Sequence, residues 1–424
     1  MNRTVSQNSR VIVVGAGVAG LNAAAYLKKK GIDVLVIEAS NKIGGRLKTD
    51  RKSGIAFDEG ASWIHSPKGN PISKLIKVAG LETYLTDDQS VQVYDTDGSQ
   101  YSADLLDRTE AKYNKALKRL SGNLNESFES VFFRKYPQRS NSRLWRYMLS
   151  AFLEFDSGAD LADLSSLDFY DDEEFKGEDI IVTNGFDSLA NYLGKNIDIR
   201  LDSRVSSIDY SQPQISVQSN TGIEHADAVL VTVPLGVLKN RDISFSPSLP
   251  RKVQQSITDI KMGSVNKFLC LWDETFWDPE LQYIGFTPNK RGKFNYFLNM
   301  KPFTDANALM TFTYGDYSVS TEKMTDEDVI DAIMAHLRTI YGSDIPAPKQ
   351  MLRTKWNSDK NTYGSYSYVA NGVRSKAFAV FKQPIDNKLY FAGEHTSRKY
   401  RSTVHGAYLS GRRAAKKIAS ALQA

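Results

Sequence analysis

The chain has 424 residues, of which 41% are hydrophobic and 24% charged, the balance of a soluble globular protein with material for two domains. No run approaches the roughly 18–20 apolar residues that a membrane-spanning helix requires. The net charge of +5, without a Lys/Arg-rich block among aromatic residues, argues against a nucleic-acid partner. The N-terminus lacks the apolar core of a signal peptide, and the single cysteine, Cys270, fits a reducing compartment. We therefore expect a cytoplasmic protein with no membrane span.

The first forty residues are typical of a strand, turn, helix and strand in sequence. The β-branched run 11–14 predicts a strand buried on both of its faces. The alanine-rich stretch 21–30, closed by Gly31, predicts a helix, and the run 34–37 predicts a second strand. This order is that of a βαβ unit.

In the rest of the chain, hydrophobic periodicity and the positions of glycine and proline predict further helices and strands. The predicted helices cover residues 105–133, 186–193, 326–341 and 406–421. The predicted strands cover residues 180–183, 197–201, 204–210, 215–219, 228–233, 267–272, 283–286, 308–314 and 389–392, and 267–272, 283–286 and 308–314 would form an antiparallel sheet. Because βα signals lie at both ends with mixed material between them, we predict two interleaved domains.

Gly15, Gly17 and Gly20 lie between the first strand and the helix, where this spacing predicts a dinucleotide site. The first glycine allows a tight turn, the second lets the backbone approach a pyrophosphate, and the third lets helix and strand pack closely. The helix N-terminus presents unpaired N–H groups to the phosphates. Glu38, at the end of the second strand, can accept hydrogen bonds from ribose hydroxyls and would repel the 2′-phosphate of NADP.

This motif alone leaves NAD and FAD open. A second glycine pair, Gly44 and Gly45, is followed by Arg46. An arginine here can make a bidentate, charge-assisted contact with the same pyrophosphate, an element that plain NAD dehydrogenases do not need. The sequence therefore favours FAD.

Together with the C-terminal motifs, these residues resemble the flavin-containing amine oxidase family and, within it, the polyamine oxidases. The matching segments follow the family's order along nearly the whole chain and are 11–47, 60–65, 228–238, 262–277, 364–368, 391–396 and 404–411. The resemblance implies an α/β fold with a Rossmann-like FAD-binding domain interleaved with a substrate domain of mixed sheet flanked by helices. The expected FAD-binding domain comprises residues 1–90, 178–250 and 386–424, and the substrate-binding domain residues 91–177 and 251–385.

The resemblance also implies which residues hold the cofactor. Glu394 would contact the ribityl or pyrophosphate region, Val404 the pyrimidine edge, and the backbone of Val205 the adenine. The expected cofactor-binding residues are Gly15, Gly17, Val18, Ala19, Gly20, Glu38, Ala39, Gly45, Arg46, Gly60, Ala61, Ser62, Trp63, Val205, Trp356, Gly393, Glu394, Thr403 and Val404. Covalent members of the family attach FAD through a C-terminal cysteine. Since Cys270 lies elsewhere, we expect noncovalent FAD, and we expect no metal.

The expected catalytic residues are Lys267, His65, Tyr366, Trp356 and Thr403. Lys267 matches the family's lysine that holds a water near flavin N5, and burial should lower its pKa. Alternation along its strand leaves open whether the side chain faces inward or outward. Trp356 and Tyr366 match aromatic positions that frame the amine. His65 resembles a residue of the animal-type polyamine oxidases that could bond a substrate nitrogen or tune its protonation.

Two further features bear on the substrate. Thr403 stands where several family members carry a second aromatic residue, and Ser402 and Thr403 resemble the hydroxyl pair that meets substrate in animal-type polyamine oxidases. A polycationic substrate also needs a locally acidic entrance. The candidate carboxylates are Glu154, Asp156, Asp171, Asp172, Glu173 and Glu174.

The resemblance implies hydride transfer from the α-carbon of a neutral amine to FAD, after which the imine hydrolyses to an aldehyde and an amine. O₂ would reoxidise the flavin and yield H₂O₂. Spermidine, spermine or their acetylated forms are the favoured substrates, and the protein would act as a monomer or homodimer. The alternatives are an L-amino acid oxidase or monoamine oxidase on the same fold, a desaturase with a quinone acceptor, and a non-oxidase flavin-binding module.

Overall fold

A computed structural model describes residues 9–423 of the chain. The α-helices in this range are α1 Val18–Lys29, α2 Ala103–Lys118, α3 Phe128–Lys135, α4 Arg143–Met148, α5 Phe155–Ser157, α6 Asp187–Leu193, α7 Leu235–Lys239, α8 Arg251–Asp259, α9 Lys301–Thr304, α10 Gly315–Thr321, α11 Asp326–Tyr341 and α12 Val404–Ala421. Short 3₁₀ segments cover Ser73–Leu75, Pro137–Arg139, Ser375–Lys382 and Glu394–Thr396, and a π-helical segment covers Leu149–Glu154.

The β-strands are short and numerous. In chain order they are β1 Arg10–Val14, β2 Asp33–Ile37, β3 Thr49–Asp50, β4 Phe57–Asp58, β5 Trp63–Ile64, β6 Thr83–Leu85, β7 Val91–Tyr94, β8 Ile180–Val182, β9 Asp198–Arg200, β10 Val205–Asp209, β11 Ile215–Ser219, β12 Gly222–Ala226, β13 Ala228–Val231, β14 Ser244–Ser246, β15 Lys261–Met262, β16 Val265–Leu271, β17 Tyr283–Phe286, β18 Lys293–Asn299, β19 Ala308–Tyr314, β20 Gln350–Arg353, β21 Ser367–Tyr368 and β22 Leu389–Phe391.

A parallel sheet of five strands, in the order β22-β13-β1-β2-β9, carries the glycine-rich turn. The central strand β1 is buried because one of its faces packs on α1 and α12 and the other on β10, β11 and α7. Covering on both faces explains why this strand is a continuous run of Val and Ile and does not alternate with polar residues. The predicted βαβ unit is confirmed.

A second sheet of six strands has the order β20-β16-β19-β18-β17-β7. Its pairs are antiparallel except for β17 with β7, so the sheet is mixed. Helix α11 covers one face through a cluster that includes Phe268, Phe294 and Met334. The predicted α/β class is confirmed, and so is the antiparallel arrangement of the strands predicted at 267–272, 283–286 and 308–314, although β18 lies between β17 and β19.

The two sheets draw their strands from alternating parts of the chain. The parallel sheet takes strands from residues 10–37, 198–231 and 389–391, and the mixed sheet takes strands from residues 91–94 and 265–353. The chain therefore passes from one sheet to the other more than once, as interleaved domains require. The precise domain limits stay a prediction.

The single helix predicted over 105–133 was wrong, because residues 119–127 separate α2 from α3. Gly122 packs so closely on the chain that a Cβ atom would lie 2.3 Å from the Ser166 hydroxyl and 2.7 Å from the Val131 side chain. Ser127 then begins α3, since its hydroxyl accepts a hydrogen bond from the Ser130 N–H at 3.2 Å. The polar periodicity of the sequence continues through residues 119–127, so the end of α2 could not be predicted from it.

Within residues 9–423, no helix combines the length and the apolar character that crossing a bilayer demands.

Helix α12 packs against α1, and Gly411 makes their close approach possible. A Cβ atom at this position would lie 2.1 Å from the carbonyl oxygen of Ala19. We expect Gly411→Ala to push the helices apart and lower the free energy of unfolding by about 1–3 kcal/mol, the usual cost of overpacking a core. Denaturant unfolding would measure it. The control is Ser420→Ala at an exposed position of the same helix; equal unfolding midpoints for the two variants would contradict the packing role.

Candidate active site

One cavity of about 1300 Å³ lies between the two sheets. Every residue predicted from the sequence to bind cofactor or act in catalysis lines it, with the exception of Gly20. Gly20 instead does what the third glycine of the motif was predicted to do, because a Cβ atom there would lie 2.1 Å from the Gly15 carbonyl oxygen. The structure thus brings together segments that are widely separated in sequence.

The turn between β1 and α1 and the first residues of α1 line the cavity. Gly15 has a φ of +105°, which favours glycine. Gly17 begins the helix without a side-chain cap, and the first turn of α1 contains no acidic residue. A Cβ atom at Gly17 would meet only the Gly44 carbonyl oxygen, at 4.0 Å, so the outer side of this glycine is open. An uncapped helix start with an open glycine is suited to an anionic phosphate.

Glu38 is held in place at the end of β2. One of its carboxylate oxygens accepts a hydrogen bond from the Ala16 N–H at 2.7 Å, and the other accepts from the N–H and hydroxyl of Ser40 at 2.9 and 2.7 Å. The oxygen that accepts from Ala16 has a second lone pair for a further donor. The carboxylate lines the cavity close to Ser203 and Val205, where a ribose with its adenine would lie.

An ion pair joins the second glycine motif to the C-terminal motif. The Arg46 Nη1 atom donates to Glu394 Oε1 at 2.9 Å and to the Ser365 carbonyl at 2.8 Å. The other oxygen of Glu394 accepts from the Ser367 hydroxyl at 2.5 Å and from the Ser402 N–H at 3.1 Å. Burial raises the pKa of Glu394, but Arg46 and these hydrogen bonds outweigh it and lower the pKa overall. The carboxylate is therefore ionised, and it ties three segments together beside the cavity.

These features fit a bound FAD. The open glycine turn and the uncapped helix match a pyrophosphate, and Glu38 matches a ribose. The cavity continues past Arg46 to Trp356 and Tyr366, which leaves room for a ring system beyond the pyrophosphate.

Lys267 lies on β16 and points across the cavity to the other half of the molecule. Its Nζ atom donates to the carbonyls of Asp58 and Gly60 at 2.9 and 2.5 Å and to the Ser62 hydroxyl at 2.5 Å. Burial lowers the pKa of Lys267, and the charges of Asp58 and Glu59 oppose that shift. The side chain is only 6% exposed, so the inward orientation that alternation left open is the one observed.

Two aromatic side chains are fixed on the same cavity wall. The Trp356 indole N–H donates to the Glu59 carbonyl at 3.1 Å, and its backbone N–H donates to Asn266 Oδ1 at 3.0 Å. The Tyr366 hydroxyl donates to the Phe155 carbonyl at 2.5 Å, and burial raises the pKa of this phenol. Both rings are therefore held rigidly, as framing a small substrate requires.

The hydroxyls of Ser402 and Thr403 both serve the protein. Thr403 caps α12 by accepting a hydrogen bond from the Gly406 N–H at 2.9 Å, and its own proton goes to the Tyr400 carbonyl at 2.9 Å. The Ser402 hydroxyl donates to the Ser367 carbonyl. Neither group has a proton left for a substrate, so what they can offer a ligand in the cavity is an acceptor lone pair.

His65 has a partner that the sequence did not reveal. Its Nδ1 atom lies 2.5 Å from Asp179 Oδ2, and Asp179 Oδ1 accepts from the Ser66 N–H at 2.8 Å. Burial alone would lower the pKa of His65, but Asp179 and the more distant Asp156 raise it overall. The ring is 55% exposed, and that surface faces the cavity. No local motif marks Asp179, since it lies 114 residues further along the chain.

The candidate carboxylates divide into two groups. Asp156 lines the cavity, where burial raises its pKa to about 7 although the Tyr170 hydroxyl donates to it at 3.0 Å. Glu154 does not line the cavity and instead accepts from Arg291 Nε at 2.9 Å. Asp171 is held by Arg398 and Arg401, whereas Asp172, Glu173 and Glu174 line the cavity. Further carboxylates of this wall, which the sequence did not single out, are Asp87, Asp88, Asp107, Glu110, Glu178 and Asp179.

Comparison with known proteins agrees with this geometry. The family model described as flavin containing amine oxidoreductase matches residues 18–419. Polyamine oxidase 2 of Arabidopsis thaliana is 32% identical over 437 residues, covering 97% of this chain and 88% of that protein. Lysine-specific histone demethylase 2 of Homo sapiens is 30% identical over 442 residues, covering 97% of this chain but 54% of its own length. A putrescine oxidase structure with putrescine bound has a TM-score of 0.79 at 19% identity, covering 97% of this chain and 99% of its own.

The fold and the cavity define a flavin-dependent oxidoreductase. The chain belongs to the flavin-containing amine oxidase family, and the predicted polyamine oxidase type is confirmed by its relatives. FAD as the cofactor and enzymatic activity as an oxidoreductase are confirmed with it. The roles of the individual residues in the cavity stay predictions.

The Glu394 pair gives a stability prediction with a defined pH dependence. The pKa of Glu394 is lowered below its ordinary value of 4.5, so the pair's contribution is fully present above that pH and is lost as pH falls through the native pKa. We expect Glu394→Gln to cost about 3 kcal/mol at neutral pH, with a smaller difference from wild type in acid. Unfolding from pH 3.5 to pH 7 would show it.

The matched control is Glu173→Gln, which removes a carboxylate from the solvent-exposed pair with Lys399. Exposed pairs contribute little to stability. If Glu394→Gln and Glu173→Gln gave the same profile, Glu394 would have no special structural role.

Proposed function

We propose that this protein oxidises polyamines at a carbon next to an amine nitrogen, with O₂ as the electron acceptor, in the cytoplasm. The observation that carries the proposal is the acidic wall of the cavity. Carboxylates of Asp88, Asp156, Glu174 and Glu178 line the same space as the rings of Trp356 and Tyr366. Amines are ammonium ions at neutral pH, and a cavity lined by one sign of charge concentrates ions of the other.

The acidic wall favours a substrate with more than one ammonium group. Burial and the like charges of Asp179, Glu110 and Asp87 raise the pKa of Asp88, and no Lys or Arg in the described part of the chain pairs with it. A cation from outside would relieve this repulsion, and a monoamine has no second charge to place here. The relatives named polyamine oxidase and putrescine oxidase point to the same class of substrate.

The chain's own groups would then position the reacting amine. FAD, when bound, supplies the hydride acceptor. The faces of Trp356 and Tyr366 attract the ammonium on entry and confine the neutral amine afterwards. Lys267 would hold a water close to the reacting centre by redirecting one of the three N–H bonds that it makes to the protein. The imine product hydrolyses to an aldehyde and an amine, and O₂ is reduced to H₂O₂.

An L-amino acid is a weaker candidate, because its carboxylate needs a free cation near the aromatic pair. Arg46 is paired with Glu394, and Lys267 donates to three oxygens of the protein. Arg401 is paired with Asp171 and Asp172. Each of these cationic groups on the cavity is already engaged.

The substrate class is tested by anaerobic bleaching of the bound flavin with putrescine, spermidine, spermine, N-acetylated polyamines, benzylamine and L-amino acids. We expect rapid bleaching by one or more polyamines. We also expect Asp156→Asn to raise the KM for that polyamine about 10-fold when it is measured above the Asp156 pKa of about 7, since it then removes one charge from the acidic wall.

The control is Asp163→Asn, which removes a carboxylate outside the cavity and should leave KM unchanged. Bleaching by L-amino acids or benzylamine, with polyamines inert, would sink the proposal.

Lys267→Met tests the proposed role of the buried lysine. We expect the rate of flavin reduction or of reoxidation to fall on the order of 100-fold, because a positioned donor is lost at the reacting centre. Stopped-flow measurement of the two half-reactions separates these outcomes. Lys252→Met, at an exposed position of α8, is the control. Wild-type rates in both half-reactions would remove Lys267 from the mechanism.

A further inference from the structure

His65 is fixed at both ends of the residue. On the side-chain side, its Nδ1 atom contacts Asp179 at 2.5 Å. On the backbone side, its carbonyl accepts from the Asn70 side-chain amide at 2.7 Å, and the same amide contacts His405 Nδ1 at 3.2 Å. Asn70 is 1% exposed, so this anchor is shielded from water. Hydrogen bonds therefore fix both the ring and the backbone of His65.

The backbone beside His65 is also strained. Ser66 has a φ of +48°, which is uncommon for a residue with a side chain. Asp179 accepts the Ser66 N–H at 2.8 Å while its other oxygen contacts the His65 ring. One carboxylate therefore fixes both the strained backbone and the ring, which is typical of a functional position.

We propose that Asp179 is a positioning residue for the amine oxidation proposed above. It holds His65 with Nδ1 protonated and Nε2 directed into the cavity, where Nε2 accepts a hydrogen bond from the N–H of the reacting amine. In a neutral imidazole, protonation at one nitrogen leaves the other as an acceptor. Within residues 9–423, no protein group bonds to Nε2, and the exposed part of the ring faces the cavity. The proposal rests on the proposed function for the identity of the ligand.

The proposal fixes a pH dependence. The groups that face His65 are Asp179, Asp156 and Glu174, which raise its pKa, and His405, whose own pKa burial lowers to about 4, so that it is neutral near pH 7. Asp88 and Glu178 are the further carboxylates around Asp179. The imidazolium form would repel a cationic substrate and has no lone pair for it. Removing the Asp179 charge lowers the pKa of His65, so the acceptor form persists to lower pH.

The first test needs no substrate. The holoenzyme with ¹³C,¹⁵N-labelled histidine is titrated by NMR as wild type, Asp179→Asn and Glu178→Gln, and the His65 signal is assigned by its loss in His65→Gln. We expect Asp179→Asn to lower the His65 titration by about 1–3 pH units and to reduce the Nδ1–H tautomer at high pH. Glu178→Gln removes the neighbouring charge without a contact to the ring and should shift the titration less.

The second test is kinetic. We expect Asp179→Asn and His65→Gln each to lower kcat/KM for the best amine about 10-fold, and the low-pH limb of the Asp179→Asn profile to move to lower pH. Because Asp179 acts through His65, adding Asp179→Asn to His65→Gln should lower kcat/KM no further than adding Glu178→Gln does, since each of these changes removes one charge from the acidic wall. If Asp179→Asn loses FAD or unfolds, Asp179→Glu keeps the charge and should keep a titration close to wild type.

An unchanged His65 titration in Asp179→Asn, or fully additive kinetic effects in the double variant, would overturn the positioning role. Failure of the proposed function has a different signature, since it would leave the NMR result intact while no amine bleaches the flavin.

Discussion

The site depends on one buried ammonium group that bridges the two sheets. Lys267 belongs to the mixed sheet, and the three oxygens that accept its protons belong to residues 58–62 on the nucleotide-binding side. A buried charge is costly unless it is hydrogen-bonded. The carbonyl and hydroxyl oxygens of residues 58–62 therefore make the burial of the Lys267 ammonium favourable. The Trp356 indole N–H adds a second hydrogen bond across the same junction, to the Glu59 carbonyl. The cavity wall therefore exists only when both sheets are assembled.

The two parts of the cavity differ in the charge that they favour. The nucleotide part presents an uncapped helix start, and Arg46 is held in place there by Glu394. The other part presents carboxylates such as Asp88 and Asp156, whose pKa values burial raises and which pair with no Lys or Arg among residues 9–423. This division allows a chain of net charge +5 to attract an anionic cofactor and a cationic substrate into one space. Net charge alone predicts neither preference.

The parts of the fold that the sequence predicts well are those fixed by local structure. The first strand, the glycine turn and α1 follow from neighbouring residues, and the structure has them where they were predicted. Lys267 is different, because all seven residues of β16 are buried and alternation cannot give the direction of a side chain. Asp179 could not be found from the sequence for another reason, since its segment comes beside His65 through long-range contacts such as the pairing of β5 with β8.

Two serines beside the cavity, Ser66 and Ser402, share the same backbone arrangement. Ser66 and Ser402 have φ values of +48° and +65°, and in each case a carboxylate accepts the backbone N–H. The carboxylate at Ser66 is Asp179, which also contacts His65, and the carboxylate at Ser402 is Glu394, which also holds Arg46. A single ionised group thus accepts the N–H of a strained bend and also holds a functional side chain of the cavity. The same carboxylate thus stabilises an unusual backbone conformation and places a functional side chain. Substitution of Asp179 or Glu394 should therefore disturb the geometry and the chemistry of the site together.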